Sequence, residues 1–159
     1  MKKRIHQIEL FLKYPIEVQQ EIFNSLIRNG KDTVFGRDHD FANIKSVEDY
    51  RRNVPVRNYE QLYPYIDRLL KGEQKVLWPS EVNWFAKSSG TTNARSKFIP
   101  VTDEALEDCH FKGGKDMISI HVNNFPDTKM FTGKGLVIGG SHQINKFNEN
   151  SKSYYGDVS

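Results

Sequence analysis

The sequence predicts an α/β protein, helical in its first half, with strands around a polar loop in its second. Three observations carry that prediction. Up to about residue 75, apolar residues recur at helical spacing. From Val76 the chain changes to short runs rich in aromatic and β-branched residues. Between two such runs lies Ser88-Ser89-Gly90-Thr91-Thr92-Asn93-Ala94-Arg95-Ser96-Lys97, a stretch with no apolar periodicity at all.

Taken in order, Ile5, Ile8, Phe11 and Leu12 mark a first helix that Pro15 interrupts. Val18, Ile22, Phe23, Leu26 and Ile27 line a second, which Asn29-Gly30 stops. Residues 31–45 read as polar loop, and Asp38-His39-Asp40 within them match the spacing of no common metal site. Ser46 begins a short helix through Tyr50 and Arg51. Val54-Pro55-Val56 is extended, because the residue before a proline avoids the helical region. Asn58 and Gln61 form a capping box for a helix whose face is Leu62, Ile66, Leu69 and Leu70, ending near Gly72. Pro64 is expected to split that helix or tighten its first turns.

In the second half, Val76–Pro79 and Val82–Ala86 read as strands, and Phe98–Val101 as another after the loop. Thr102 is a suitable N-cap, with Asp103 and Glu104 in the first turn of a helix. Leu106, Cys109, Gly113, Met117 and Ile120 then fall on one side of it, through about His121. Gly113-Gly114 inside a helix costs about a kcal/mol per residue against alanine, which suggests close packing or a ligand passing over the backbone. Lys129–Phe131 and Leu136–Ile138 read as further strands, with Gly139-Gly140-Ser141-His142 at the exit of the second. The chain divides into residues 1–75, mainly helical, and residues 76–159, which hold the strands, the loop and a helix. Met1 reads as a start, whereas Ser153–Ser159, with no stop signal or polar tail, reads as an interruption.

Composition narrows the partners. The chain has 159 residues, 37% hydrophobic, with a mean hydropathy of −0.65 and 12% aromatics, polar for its size yet able to form a core. A formal charge of +3 permits an anionic substrate but lacks the basic stripe of a nucleic-acid binder. No apolar run approaches the ~20 residues of a membrane span, and no signal-peptide core follows Lys2-Lys3-Arg4. The expectation is a cytoplasmic protein with neither nucleic acid nor membrane as partner. Cys109 is the one cysteine, which leaves no intramolecular disulfide and no cysteine-rich metal site.

The polar loop carries the chemistry. Gly90 lets backbone approach a ligand closely, and successive N–H groups in such a turn make a nest for anions. Ser88, Ser89, Thr91 and Thr92 add hydroxyl donors, and Lys97 adds a mobile cation. Together they suit capture of a polyphosphate. An ordinary polar turn would use the same residue types, although paired Ser-Ser and Thr-Thr around one glycine are required by no turn type. The stretch is not a Walker A loop, and neither Gly133-Lys134-Gly135 nor Gly139-Gly140 makes a dinucleotide fingerprint.

Trp84-Phe85-Ala86-Lys87-Ser88-Ser89-Gly90-Thr91-Thr92 with Lys97 resembles the phosphate loop of the acyl-adenylating ligase superfamily. Val54–Glu60, Pro64-Tyr65-Ile66, Gly72-Glu73, Leu77-Trp78-Pro79, Cys109–Asp116 and Phe131–Lys134 narrow the similarity. They point to the auxin-responsive (Gretchen Hagen) acyl-acid amido synthetase family, over essentially the whole chain. The pattern departs in two respects. Family members are several-fold longer, with adenine-, ribose- and metal-binding motifs beyond the segment matched here. The superfamily loop also commonly continues Thr-Gly-x-Pro-Lys, whereas Asn93-Ala94-Arg95-Ser96-Lys97 follow here. Asn93 tolerates left-handed backbone and can stand in for the glycine.

The resemblance implies the N-terminal portion of a large adenylate-forming domain, taken from an enzyme several-fold longer. It implies ATP and Mg2+, with the metal ligands outside this chain. A small-molecule carboxylic acid would be activated as an acyl-adenylate and passed to an amine, usually that of an amino acid. On this reading Ser88, Ser89, Gly90, Thr91 and Thr92 bind phosphate, and Lys97 is the catalytic charge partner. The fragment alone would be inactive. Two other readings stay open: a relative that forms a coenzyme A thioester, and a non-catalytic module that binds nucleotide or a partner chain. His110 and Lys112, on the helix after the loop, are weaker candidates for an acyl pocket, with surface or core packing as the alternative. Gly139–His142 could wall a substrate site or simply turn the chain.

Overall fold

The computed structural model describes residues 2–88, 96–136, 143–147 and 152–156. Helix α1 (Lys2–Lys13) is followed by α2 (Pro15–Gly30), α3 (Val34–Asp38), a 3-10 turn (Phe41–Asn43), α4 (Val47–Asn53) and α5 (Tyr59–Leu70). Strands β1 (Trp84–Ser88) and β2 (Lys97–Val101) come next. Helix α6 (Asp103–Ala105), a π-helical stretch (Leu106–Phe111) and α7 (Lys112–Asn124) run on without leaving helical backbone at their junctions. Two short strands, β3 (Asn145–Lys146) and β4 (Tyr154–Gly156), close the order. The α/β architecture, helical first and stranded later, is that expected from the sequence.

The chain forms two compact units. One combines residues 1–21 with 103–139; the other combines 22–102 with 140–159. The second unit holds the sheet, in the order β2-β1-β4-β3. β1 runs antiparallel to β2 and parallel to β4, and β3 is antiparallel to β4. Proline at Pro100 is admissible because β2 lies at the sheet edge.

The core of this unit is Ile66, Leu69, Val76, Val82 and Phe85, each at most 1% exposed. Helix α5 supplies the first two, so its apolar stripe is what seats the helix under β1. Its start is fixed by a reciprocal capping box: Gln61 N–H donates to Asn58 Oδ1 and Asn58 N–H to Gln61 Oε1, both at 2.9 Å. Pro64 does not split α5, which continues to Leu70. Gly72 follows with a φ of 91°, a left-handed stop that glycine adopts without strain.

Residues 31–45 are more ordered than their polarity suggests. Thr33, 1% exposed, caps α3 by accepting from Gly36 N–H at 2.9 Å. The first amides of α3 are then satisfied from a distant segment: Val34 N–H donates to the Lys75 carbonyl at 3.0 Å and Phe35 N–H to that of Val76 at 2.9 Å. Those carbonyls are spent on a helix start, so Val76–Pro79 is not a strand. His39 is a core residue rather than a solvated one: it stacks on Phe35 at 4.1 Å, and Nδ1 lies 2.7 Å from the Phe35 carbonyl.

In the other unit, α1 and α7 are joined by the Arg4–Asp116 ion pair, with Arg4 Nη2 donating to Asp116 Oδ2 at 2.6 Å and Nε to Oδ1. The expected apolar face of the long helix is not buried: Met117 is 69% exposed and Ile120 42%. The π-helical stretch has more residues per turn than an α-helix, so it rotates later positions away from a 3.6-residue stripe. Gly113 and Gly114 have no described residue within 4 Å of an added Cβ, so close packing among the described residues does not account for them. Lys129–Phe131 is a turn, not a strand, closed by Thr132 N–H and Oγ1 on the Lys129 carbonyl at 3.0 and 2.9 Å. Leu136 lies outside any strand, while Val137 and Ile138 lie outside the described residues.

Candidate functional site

The register of one hairpin builds the candidate site. Phe85 pairs with Pro100, Lys87 with Phe98, and Ser88 with Lys97 as the last rung. The backbone leaving β1 at Ser88 and the backbone entering β2 at Lys97 are therefore neighbours, although residues 89–96 separate them in sequence. Both side chains are exposed. Ser89, Gly90, Thr91 and Thr92 lie outside the described residues; Ser88 and Lys97 are the candidate residues whose positions are known.

The sheet order adds to that end. β1 and β4 run parallel and finish there with Ser88 and Gly156, while β2 and β3 run the opposite way and start there with Lys97 and Asn145. Ligand sites favour the carboxyl ends of such strands. An added Cβ on Gly156 would come within 3.0 Å of the Gln143 carbonyl and 3.2 Å of the Trp84 ring, so the strands are packed tightly at this end. The segment Gly139–His142 lies outside the described residues.

Aromatic packing anchors the platform. Phe85 sits fully buried against α5, and Phe98, Phe147 and Tyr155 ring the same cluster, with centroids between 4.7 and 5.2 Å apart. Lys87 and Lys97 project from this base. Neither has a carboxylate within 4 Å among the described residues, and each ammonium lies over an aromatic face instead. Lys97 Nζ is 5.3 Å from the Tyr59 centroid and Lys87 Nζ is 5.6 Å from that of Tyr155. Two positive charges with no carboxylate partner among the described residues thus lie at the adjoining ends of β1 and β2. The sequence named Lys97; Lys87 and Tyr59 it quoted only within longer segments.

The weaker candidates lie elsewhere. His110 is exposed on the π-helical stretch, edge-on to Phe111 at 5.3 Å. Lys112 pairs with Asp108 at 3.1 Å. Lys112 also borders a cavity of ≈ 620 Å³, shared with Arg4, Gln7, Lys115, Ser119 and Phe131. The neighbouring guanidinium of Arg4 holds the Asp116 carboxyl below its usual range, chiefly through their hydrogen bond. These contacts join α1 to α7; His110 is exposed and Lys112 is half-buried beside that cavity. Asp38-His39-Asp40 gathers no metal set, and no group of three or more His, Cys, Asp or Glu among the described residues could hold a metal ion. Among the same residues no helix is long and apolar enough to cross a membrane.

Comparison with known proteins agrees with this architecture. A family model described as the GH3 family N-terminal domain matches residues 4–159. The chain is 26% identical over 107 residues to indole-3-acetic acid-amido synthetase GH3.5 of Arabidopsis thaliana, a match covering 67% of this chain and 18% of that protein. It is 24% identical over 107 residues, with the same coverages, to jasmonoyl--L-amino acid synthetase GH3.5 of Oryza sativa subsp. japonica. The solved structure of the GH3.15 acyl acid amido synthetase superposes with a TM-score of 0.83 at 21% identity, covering 99% of this chain and 28% of that one. The chain thus spans less than a third of the length of these proteins.

Proposed function

The chain belongs to the GH3 family, and from that membership we propose that residues 1–159 are the N-terminal part of one adenylate-forming domain, in an ATP-dependent acyl-acid amido synthetase. The observation that carries the proposal is the hairpin register, which sets Lys97 beside Ser88 across the ends of the Ser/Thr/Gly loop.

The chemistry has two stages. A carboxylate oxygen of the acid attacks the α-phosphorus of ATP; the bond from that phosphorus to its bridging oxygen breaks, and pyrophosphate leaves. An amine nitrogen, that of an amino acid, then attacks the acyl carbon. AMP leaves, and the amine gives up a proton to solvent. Carboxylic acid and amino acid are the partners that the amido synthetases among the relatives support, which favours an amine over coenzyme A as the acceptor. An ionised carboxylate needs no general base for the first stage.

This chain's own residues answer for the departing phosphates. Lys97 offers an ammonium with no carboxylate within 4 Å among the described residues, and Ser88 offers a hydroxyl at the carboxyl end of β1. With Ser89, Gly90, Thr91 and Thr92 they hold the β- and γ-phosphates in line and absorb charge as pyrophosphate departs. Ser88 and Lys97, held on a sheet seated by Phe85, do so with little reorganisation. Mg2+, when bound with ATP, supplies further charge neutralisation, and its ligands are expected outside the described residues.

The test is pyrophosphate release dependent on acid and ATP, in the protein extended to the length of its relatives. Lys97→Ala and Thr91→Ala should each lower it about tenfold or more, as loss of an oriented donor does. Wild-type rates in both variants would remove the loop from the mechanism. Residues 1–159 alone should form no amide.

A further inference from the structure

Tyr59 bonds to both backbone groups of Phe98 and also lies under the ammonium of the preceding residue. It is the first residue of α5, where the capping box fixes the backbone just before it. Its hydroxyl accepts the Phe98 N–H at 3.0 Å and donates to the Phe98 carbonyl at 3.3 Å. β2 is an edge strand of the sheet among the described residues, and an edge strand carries N–H and C=O groups that no neighbouring strand satisfies. One phenol satisfies such a pair, because a hydroxyl both donates and accepts. The strand is thereby held where Lys97 enters it. The ring of the same residue lies 5.3 Å from Lys97 Nζ.

A carboxylate in that place would hold the lysine and cancel its charge. An aromatic face holds the ammonium and leaves the charge intact, with N–H donors still directed away from the ring. A long side chain restrained before binding also has less conformational freedom to lose when an anion arrives. We propose that Tyr59 is the positioning residue of the polyphosphate site: its hydroxyl sets the edge of β2, and its ring holds the Lys97 ammonium at the mouth of the loop. The inference rests on the reading of Lys97 as a phosphate partner and deepens it.

The probe is inorganic triphosphate, titrated calorimetrically into the 159-residue chain at low salt, with thermal midpoints recorded for every variant. Tyr59→Leu should weaken binding roughly three- to fivefold, the strength of one partly exposed cation–π contact. In a Lys97→Ala background the same change should have no further effect. Tyr59→Phe, which restores the ring, should recover most of the affinity lost in Tyr59→Leu, while its midpoint stays below wild type because the Phe98 edge is left to water. Equal losses from Tyr59→Leu with and without Lys97 would overturn the proposal and leave Tyr59 a structural residue. Binding that depends on Lys97 but is untouched by either Tyr59 variant would overturn it too, with the phosphate reading intact. No Lys97-dependent triphosphate binding by the wild-type chain would remove both.

Discussion

The two compact units are held together by different physics. Residues 22–102 with 140–159 close over Ile66, Leu69, Val76, Val82 and Phe85, all but sealed from solvent. Residues 1–21 with 103–139 bury, among the described residues, only Ser119. Their helices meet through the Arg4–Asp116 pair while Leu12, Ile16, Met117 and Phe131 stay largely exposed. A surface ion pair contributes little, roughly 0–1 kcal/mol, whereas one buried phenylalanine contributes about 1.5–3 kcal/mol. The loop that we propose to bind phosphate leaves from the strand that carries Phe85, in the unit with the buried core.

Breaking the sheet-bearing unit should therefore have the largest effect. Phe85→Ala is expected to cost about 3–5 kcal/mol. Gly36→Ala, whose Cβ would lie 2.0 Å from the Gly30 carbonyl oxygen, should cost about 3 kcal/mol. Both are read by tryptophan fluorescence in urea, since Trp78 and Trp84 belong to this unit alone. A midpoint within experimental error of wild type for Phe85→Ala would show that the core does not govern this unit.

A smaller effect distinguishes the helical unit. The Asp116 carboxyl is held below its ordinary value, so its pair with Arg4 stabilises the folded state in full above the usual carboxylate range, about pH 4. That contribution is lost as pH falls through the lowered value. Amides of α1 and α7 should begin to exchange faster below about pH 4, and Arg4→Met should remove this acid step while leaving β1 unaffected. Identical acid profiles with and without Arg4 would contradict it.

Much of this was legible in the sequence, and the rest was not for identifiable reasons. α2 announced itself through apolar spacing and Asn29-Gly30, and α5 through Asn58 and Gln61, because those signals are local. α3 was missed because its first amides are satisfied by carbonyls of Lys75 and Val76, far along the chain. The apolar stripe of α7 was misread because nothing in its residues announces a π-helical stretch. At the candidate site, Ser88 and Lys97 could be named from their chemistry. Tyr59 could not, since its role depends on how α5 packs against β2.

Hydrogen exchange of the 159-residue chain, with and without inorganic triphosphate, reads both the core and the hairpin. Exchange should be slowest around Phe85 and α5 and fast through α7, with added protection on triphosphate at Ser88 and Lys97–Phe98. Protection gained along α7 instead, or none at the hairpin, would contradict the phosphate reading.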